Sequence, residues 1–596
     1  MDARRWIAAL CVAFATALPA HAQEKVFRYA FPIAETGFDP QQVSDLYSRV
    51  VTGNVFDTLY EYEYLARPAK VRPALAEGMP EISPDFKVWT IRMKRGVYFA
   101  DDPAFEGKKR EVTAHDVVFT LKRIFDPKTR SPLLSGLQEE QILGLQELRD
   151  KAEKSGKFDY QTEIEGLRAV DRYTVQFRLG TPRPRLIYTL ADPGIYGIVA
   201  REVVEKYGDR IMEHPVGTGP FMLGEWRRSS KITLVRNPNY RGEVFDEAAP
   251  AGDAVGERIA KHLKGKRMPL VDKVEISIID EPQPRWLSFV NGEQDLMERL
   301  PANFVTQAIP NNKLAPNLAQ KGVQMERVPL SDIAMMMFNM DDPVVGGYTP
   351  EKVALRRAIS LGYNTGEEVR LPRRGQAIVA NGPLMPNTAS YDPDFRSEMG
   401  VFDRGRAIAL LDMYGYIDRN GDGWRDLPDG SPLEIEMNTL GTADYRELDE
   451  IVKRNMDAIG LKFRFKIGKW PEQLKGARAG KLQVWQVGLS AAAPDSSPVF
   501  QLGYGPQAGQ QNLARFRNKQ FDELFVRQGT MPDGPERDAV LREAARIWIA
   551  YMPYKVRVHR IGTDLWQPWV VGYKRHPFSN SFWRYIDIET GKLPKK

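Results

Sequence analysis

The stretch Val216-Gly-Thr-Gly-Pro-Phe221, followed by Val235-Arg-Asn-Pro-Asn-Tyr240, most constrains how this chain can fold. A glycine–proline turn lies between two short apolar runs, and an Asn-Pro turn ends the second run. Gly217 and Gly219 allow backbone angles that other residues resist, whereas Pro220 fixes its own φ and lacks an amide donor. The pattern predicts a hairpin with special turns. A phosphate cradle fits it poorly, because no Lys-Ser or Lys-Thr follows the glycines and Pro220 removes one of the amides such a loop needs.

With 596 residues the chain is too long for one hydrophobic core, so at least two packed lobes are expected. A net charge of +6 is small against 84 basic and 78 acidic side chains. No dense basic run with interleaved aromatics appears, which speaks against a nucleic-acid partner. At the N-terminus, Arg4 and Arg5 precede an apolar run from Trp6 to Leu18, and Ala20-His-Ala22 has the small-x-small cleavage pattern. Residues 1–22 therefore read as a secretory signal peptide, leaving Gln23 as the first mature residue. Cys11, the only cysteine, lies inside that signal behind Leu10, where a lipid-anchored form needs a small residue. The mature chain is thus expected without thiol, disulfide or lipid, and no other segment approaches the length of a membrane span. A protein free in the periplasm is the expectation.

Val26 to Ala30 and Val88 to Met93 alternate as strands, and Phe38-Asp-Pro40 opens a turn toward a helix. Ala114 to Phe125 reads as an amphipathic helix capped by Thr113. From Leu137 to Lys154, Ile142, Leu145, Leu148 and Ala152 recur at helical spacing among charges, predicting a surface helix. Gly242 to Lys266, rich in Ala, Gly and charge, reads as a loop with one short helix before a strand at Val271 to Ile279.

Several short words, taken in order, resemble the bacterial extracellular solute-binding proteins of family 5, the peptide- and nickel-binding receptors of ABC importers. The two stretches above carry the signature. Pro73-Ala-Leu-Ala-Glu77, Trp89 to Phe99 and Thr113-Ala-His-Asp-Val-Val-Phe119 stand upstream of it. Gly292-Glu-Gln-Asp-Leu296, Phe338-Asn339, Arg356-Arg-Ala-Ile-Ser360 and Asn512-Leu-Ala-Arg-Phe516 follow. The resemblance implies an α/β fold of two lobes with a hinge, the type II, cluster C-like periplasmic-binding-protein architecture. It implies a first lobe at 23–328 with an extra subdomain at about 75–214, a second lobe at 329–552, and a return segment at 553–596. The segments around 137–157 and 243–266 read as insertions relative to the family. Function follows as an expectation: a monomeric, cofactor-free receptor that captures an oligopeptide or peptide-like solute and presents it to a membrane permease. A receptor for an oligosaccharide, peptide-nucleotide or metal chelate is the alternative.

The ligand site is approached by the same resemblance. Peptide receptors of the family hold the ligand's α-ammonium with an acid in a word resembling Trp-x-x-Asp-Tyr-Pro-Asp-Pro. The matching stretch is Val487-Gly-Leu-Ser-Ala-Ala-Ala-Pro-Asp-Ser496, and anchoring on Pro494-Asp495 puts Ala492 where that acid should stand. A buried ammonium without a partner is costly. Either another acid substitutes, Asp495 being the first suspect, or the ligand carries no free ammonium there. Ser490 lies in the same word. Arg373 and Arg374 can pair with a ligand carboxylate or form a solvated loop, Trp485 can stack on ligand or sit in the core, and Phe38 opens the turn before the first helix.

Catalysis finds little support. No Gly-x-Ser-x-Gly elbow, His-Glu-x-x-His pair or Walker motif is present. A secreted hydrolase would need such a constellation, and His115, His214, His262, His559 and His576 are widely scattered. Asp418, Asn420, Asp422, Asp426 and Asp429, with Gly423 between, follow EF-hand spacing, although Asp429 replaces the longer bidentate Glu. Asx turns explain the same composition, and a structural turn is the favoured reading over a calcium loop.

Overall fold

A computed structural model describes residues 23–594; the expected signal peptide lies outside the described residues. The backbone of the architecture is one large mixed sheet of 12 strands. From one edge its path runs through Lys462–Ile467, Glu434–Thr439, Val484–Ser490, Asp332–Phe338 and Tyr554–Trp566. It continues through Leu296–Met297, Val26–Phe31, Lys273–Ile278, Lys231–Arg236 and Phe221–Arg227. Asp332–Phe338 contains the unbroken apolar run Ile333-Ala-Met-Met-Met-Phe338 because neighbours cover it on both faces, and Met335, Met336, Met337 and Phe338 are fully buried.

Four apolar clusters fill the molecule. The largest gathers Ile333 to Val556, including Met437, Trp485, Trp548 and Tyr554. A second spans Leu59 to Val216 around the small antiparallel sheet Glu81–Ile82, Val88–Arg92, Thr174–Arg178 and Leu167–Asp171. The third joins the two ends of the chain, packing Phe27, Tyr29 and Phe31 with Trp566, Phe582, Trp583 and Ile588. A smaller fourth holds Trp286, Phe289 and Leu565.

Local signals explain these elements. The helix Ala114–Phe125 begins at Thr113, whose amide donates to Asp116 Oδ2 at 2.7 Å, closing the first turn on an acid. The stretch from 137 to 154 differs from expectation. It forms two helices, Leu134–Glu139 and Leu145–Ser155, because Gln141 (φ 51°) and Gly144 (φ 85°) turn the backbone left-handed between them. Its apolar residues, Ile142, Leu145, Leu148 and Ala152, are buried in the second cluster. The segment from 242 to 266 carries the helix Ala254–Leu263, which buries Ile259 and Leu263.

The opening signature also turns out differently. The hairpin exists between Phe221–Arg227 and Lys231–Arg236, but its turn is made by Arg228 to Ser230, with Ser229 at φ 57°. The glycines instead lie flat against the end of the helix Leu46–Val55. A Cβ on Gly217 would stand 2.1 Å from Val55 O, and the Gly219 amide donates to that oxygen at 2.9 Å. Close approach, rather than a hairpin bend, requires glycine here.

Candidate ligand cleft

Tyr554–Trp566 is a single strand of 13 residues that also pairs with the short strands Ala377–Val379 and Leu296–Met297, but two longer partners define the crossing. Its first half pairs with Asp332–Phe338 and its second half with Gln324–Pro329. The partner chain breaks at Leu330 and Ser331, where the Leu330 amide donates to Arg560 O at 2.8 Å. Two strands therefore run side by side from the cluster that holds Leu565 into the one that holds Val556. Such a paired crossing concentrates bending in a few residues.

A cavity of about 420 Å³ opens beside that crossing. Leu46, Arg49, Arg67 and Arg299 line it from one side, and Asn387, Ser490, Ala491 and Ala492 from the other. Lys574 to Phe578 complete the wall. A second cavity of about 180 Å³ adjoins it and shares Leu46, Arg299, Arg575 and Asn580.

Among the residues singled out in the sequence, Ser490 and Ala492 meet in the larger cavity. The others lie elsewhere. Phe38 is fully buried, its ring 4.7 Å from that of Trp226. Trp485 is a core residue whose indole Nε1 donates to Gln473 at 2.7 Å. Arg373 pairs with the buried Glu368 at 3.1 Å, and Arg374 with Glu447 at 3.2 Å. Asp495 faces neither cavity. It is clasped by Arg537 and by Arg185, whose Nε lies 3.5 Å from Oδ2. Burial alone would raise the Asp495 carboxyl, yet the two guanidinium groups hold it below the ordinary carboxylate value.

The acidic loop is a self-contained turn. Asp418 accepts from the amides of Gly421 and Gly423, Asp422 from Trp424, Asp426 from Arg419, and Asp429 from Ser431. Asn420 Oδ1 accepts from the Asp422 amide. Each side chain thus satisfies a nearby amide, the Asx-turn arrangement.

Sequence reasoning missed the basic wall. Arg49 pairs with Asp192 at 2.7 Å, Lys574 with Glu326 at 2.9 Å and with Asp253 at 3.2 Å, and Arg575 with Asp564 at 2.6 Å. Burial, helped by Arg67, pushes the His576 imidazole well below its usual value, so it lines the cavity uncharged at neutral pH. No pattern in the one-dimensional text marks these residues, since Arg49, Arg67 and the run from Lys574 to His576 stand far apart in the chain.

The arrangement is a cleft lined from both sides of the paired crossing. Residues 70–511 match the sequence profile of the bacterial extracellular solute-binding proteins, family 5 Middle. The chain is 27% identical over 590 residues to the Di/tripeptide-binding protein 2 of Pseudomonas aeruginosa, covering 96% of each chain. It is 22% identical to the Dipeptide-binding protein of Escherichia coli, covering 96% of this chain and 97% of that one. Among solved structures, the periplasmic binding protein DppA from Helicobacter pylori, in complex with peptide STSA, superposes with a TM-score of 0.70 at 23% identity. That match covers 95% of this chain and 98% of the other.

Proposed function

Because this chain belongs to the bacterial extracellular solute-binding proteins of family 5, we propose that it is the substrate-binding receptor of an ABC importer, capturing an oligopeptide or peptide-like solute and delivering it to a membrane permease. The observation that carries this reading is the cavity of about 420 Å³ lined from both sides of the paired-strand crossing. A solute touching both walls favours closure by as much as it prefers the closed form, so delivery is a population shift. Relatives matched over nearly their whole length and named for di- and tripeptides support a peptide-like solute. Main-chain hydrogen bonding holds extended peptides without strict side-chain preference.

The same reading places the lobes at 23–328 and 329–552, with a return segment at 553–596 and an extra subdomain at about 75–214. Cleavage after Ala22 would release an unlipidated, monomeric periplasmic protein beginning at Gln23. No catalytic role is assigned.

Small-angle scattering combined with calorimetry tests the proposal. Saturation with a binding peptide should shrink the radius of gyration while leaving the circular dichroism unchanged. An unchanged radius at demonstrated saturation, or measurable peptide hydrolysis, would overturn it. N-terminal mass analysis of the exported protein should find Gln23 first and no lipid on the chain.

A further inference from the structure

The lining of the two adjoining cavities carries more cations than acids. Their lining contains three carboxylates, Glu298, Glu326 and Asp332. Each is already engaged: Glu298 by Arg575 at 3.0 Å, Glu326 by Lys574 at 2.9 Å, and Asp332 by Arg560 at 2.6 Å. The cations divide differently. Among the described residues Arg67 donates only to main-chain oxygens, those of Tyr64, Ala66 and Arg575. Arg285 likewise donates, among the described residues, only to the carbonyls of Ile279 and Asp280. The Arg299 side chain makes no hydrogen bond or ion pair among the described residues.

Arg299 carries a second mark. Its backbone lies in the left-handed region at φ 54°, which a non-glycine residue adopts only at a cost. Its amide is fixed there by Asp564 Oδ1 at 2.8 Å. Glycine would adopt this backbone without penalty, yet an arginine occupies it at the junction of both cavities.

Opposite, Ala491 and Ala492 offer no charge at all. Asp495, the acid nearest in sequence, is already clasped by Arg537 and Arg185. A ligand ammonium entering this cleft would meet carboxylates that already have partners. It would share the space with guanidinium groups that have acids nearby but none within ion-pair distance among the described residues, and like charges there repel. An anionic group would instead find forked donors waiting.

We propose that the solute is a peptide-like anion bearing at least two acidic groups and no free α-ammonium, its acids held by Arg299 with Arg67 or Arg285 at the junction of the two cavities. This rests on the peptide-receptor reading above and narrows it. Ala491 and Ala492 then leave room for an acyl group where an amino terminus would otherwise need an acid.

Calorimetry on the mature protein with three probes decides the matter: N-acetylglutamylglutamate, dialanine and lysylalanine. The acetylated diacid should bind at least tenfold more tightly than dialanine, with lysylalanine weakest, and its affinity should fall as salt is raised. Arg299→Ala should cost the diacid tenfold or more while leaving dialanine within about twofold, and Arg299→Lys should recover part of the loss. Equal or tighter binding of dialanine or lysylalanine, or indifference of the diacid to Arg299→Ala, overturns the anion proposal and leaves the peptide receptor standing. No binding by any of the three probes overturns the peptide reading itself, and this proposal with it.

Discussion

Arg185 and Asp495 meet across the molecule, Nε to Oδ2 at 3.5 Å, one from the element beside the small antiparallel sheet and the other from the loop after Val484–Ser490. Arg185 also donates to the main-chain oxygens of Gln528, Gly529 and Met531 at 3.1, 2.9 and 2.9 Å. One side chain therefore joins the second apolar cluster to the largest one. Arg185→Ala should loosen that contact without unfolding either body. Scattering should show a larger radius of gyration for the ligand-free variant, and calorimetry a weaker affinity for whatever solute binds. An unchanged radius would mean that other contacts hold the bodies together.

The Asp495 carboxylate is the main partner of Arg537, a guanidinium that is 1% exposed. Removing its charge leaves that cation with Asp533, 2.8 Å from Nη1, as its remaining acid, so the cost falls below the roughly 3–5 kcal/mol of a buried charge left wholly unpaired. Asp495→Asn should lower the unfolding free energy by about 1–3 kcal/mol. The pH dependence has a definite sign. A carboxyl held below its ordinary value stabilises the fold above the unfolded value of about 3.9, and that stability is lost as pH falls through the lowered folded value. Denaturant titrations between neutral pH and pH 3 should show this acid loss in the wild type and a shallower one in the variant.

Lys555 tests linkage in the opposite direction. It is fully buried on the crossing strand and donates to Met399 O, and burial pushes its ammonium down to about 7 despite Glu368 nearby. Between that value and about 10.4 the unfolded chain holds the extra proton, so stability should rise with pH by up to about 1.4 kcal/mol per unit. Lys555→Met should be the more stable protein near pH 7.5, and its advantage should shrink toward pH 9.5. A constant difference across that range would contradict the buried neutral amine.

Gly217→Ala probes the signature. The added methyl would stand 2.1 Å from Val55 O, a main-chain atom that cannot rotate away. Overpacking of this kind costs about 1–3 kcal/mol. Gly78→Ala, with nothing within 4 Å of the new Cβ, is the control and should be near neutral. Thermal melts of both variants compare them directly.

For the loop from Asp418 to Asp429, excess calcium or a chelator should leave the melting temperature unchanged, since the loop's own amides occupy its carboxylates. A calcium-dependent rise abolished by Asp422→Asn would show binding by the folded state instead.

What could be read from sequence was local. Thr113 and the helix behind it follow from a cap and a 3.6-residue period, both contained within a dozen residues. The apolar period from Ile142 to Ala152 was visible, but its interruption by a left-handed Gly144 was not, because one glycine reads equally as interior or break. In sequence Trp485 reads equally as core or ligand-facing, and its indole partner Gln473 places it in the core. Ser490 and Ala492 were found through the order of short words, whereas Phe38, Arg373 and Arg374 have their own partners away from the cleft. Arg185 was illegible: its acceptor Gln528 stands 343 positions away, and nothing near Arg185 distinguishes it from other surface arginines. Arg299 was hidden for a related reason, since backbone strain leaves no mark in composition.

The strand Tyr554–Trp566 and the segment behind it also impose an order of assembly. Phe27, Tyr29 and Phe31 pack against Trp566, Phe582, Trp583 and Ile588, so the earliest strand waits for the last residues made. The large cluster from Ile333 onward draws little beyond Tyr554, Val556 and Phe578 from that late segment and can collapse largely on its own. The amino-terminal body can complete its core only once the carboxyl terminus arrives. A nascent chain halted before Trp566 therefore displays unburied aromatics at its front end, an open molecule available to whatever machinery handles unfolded chains.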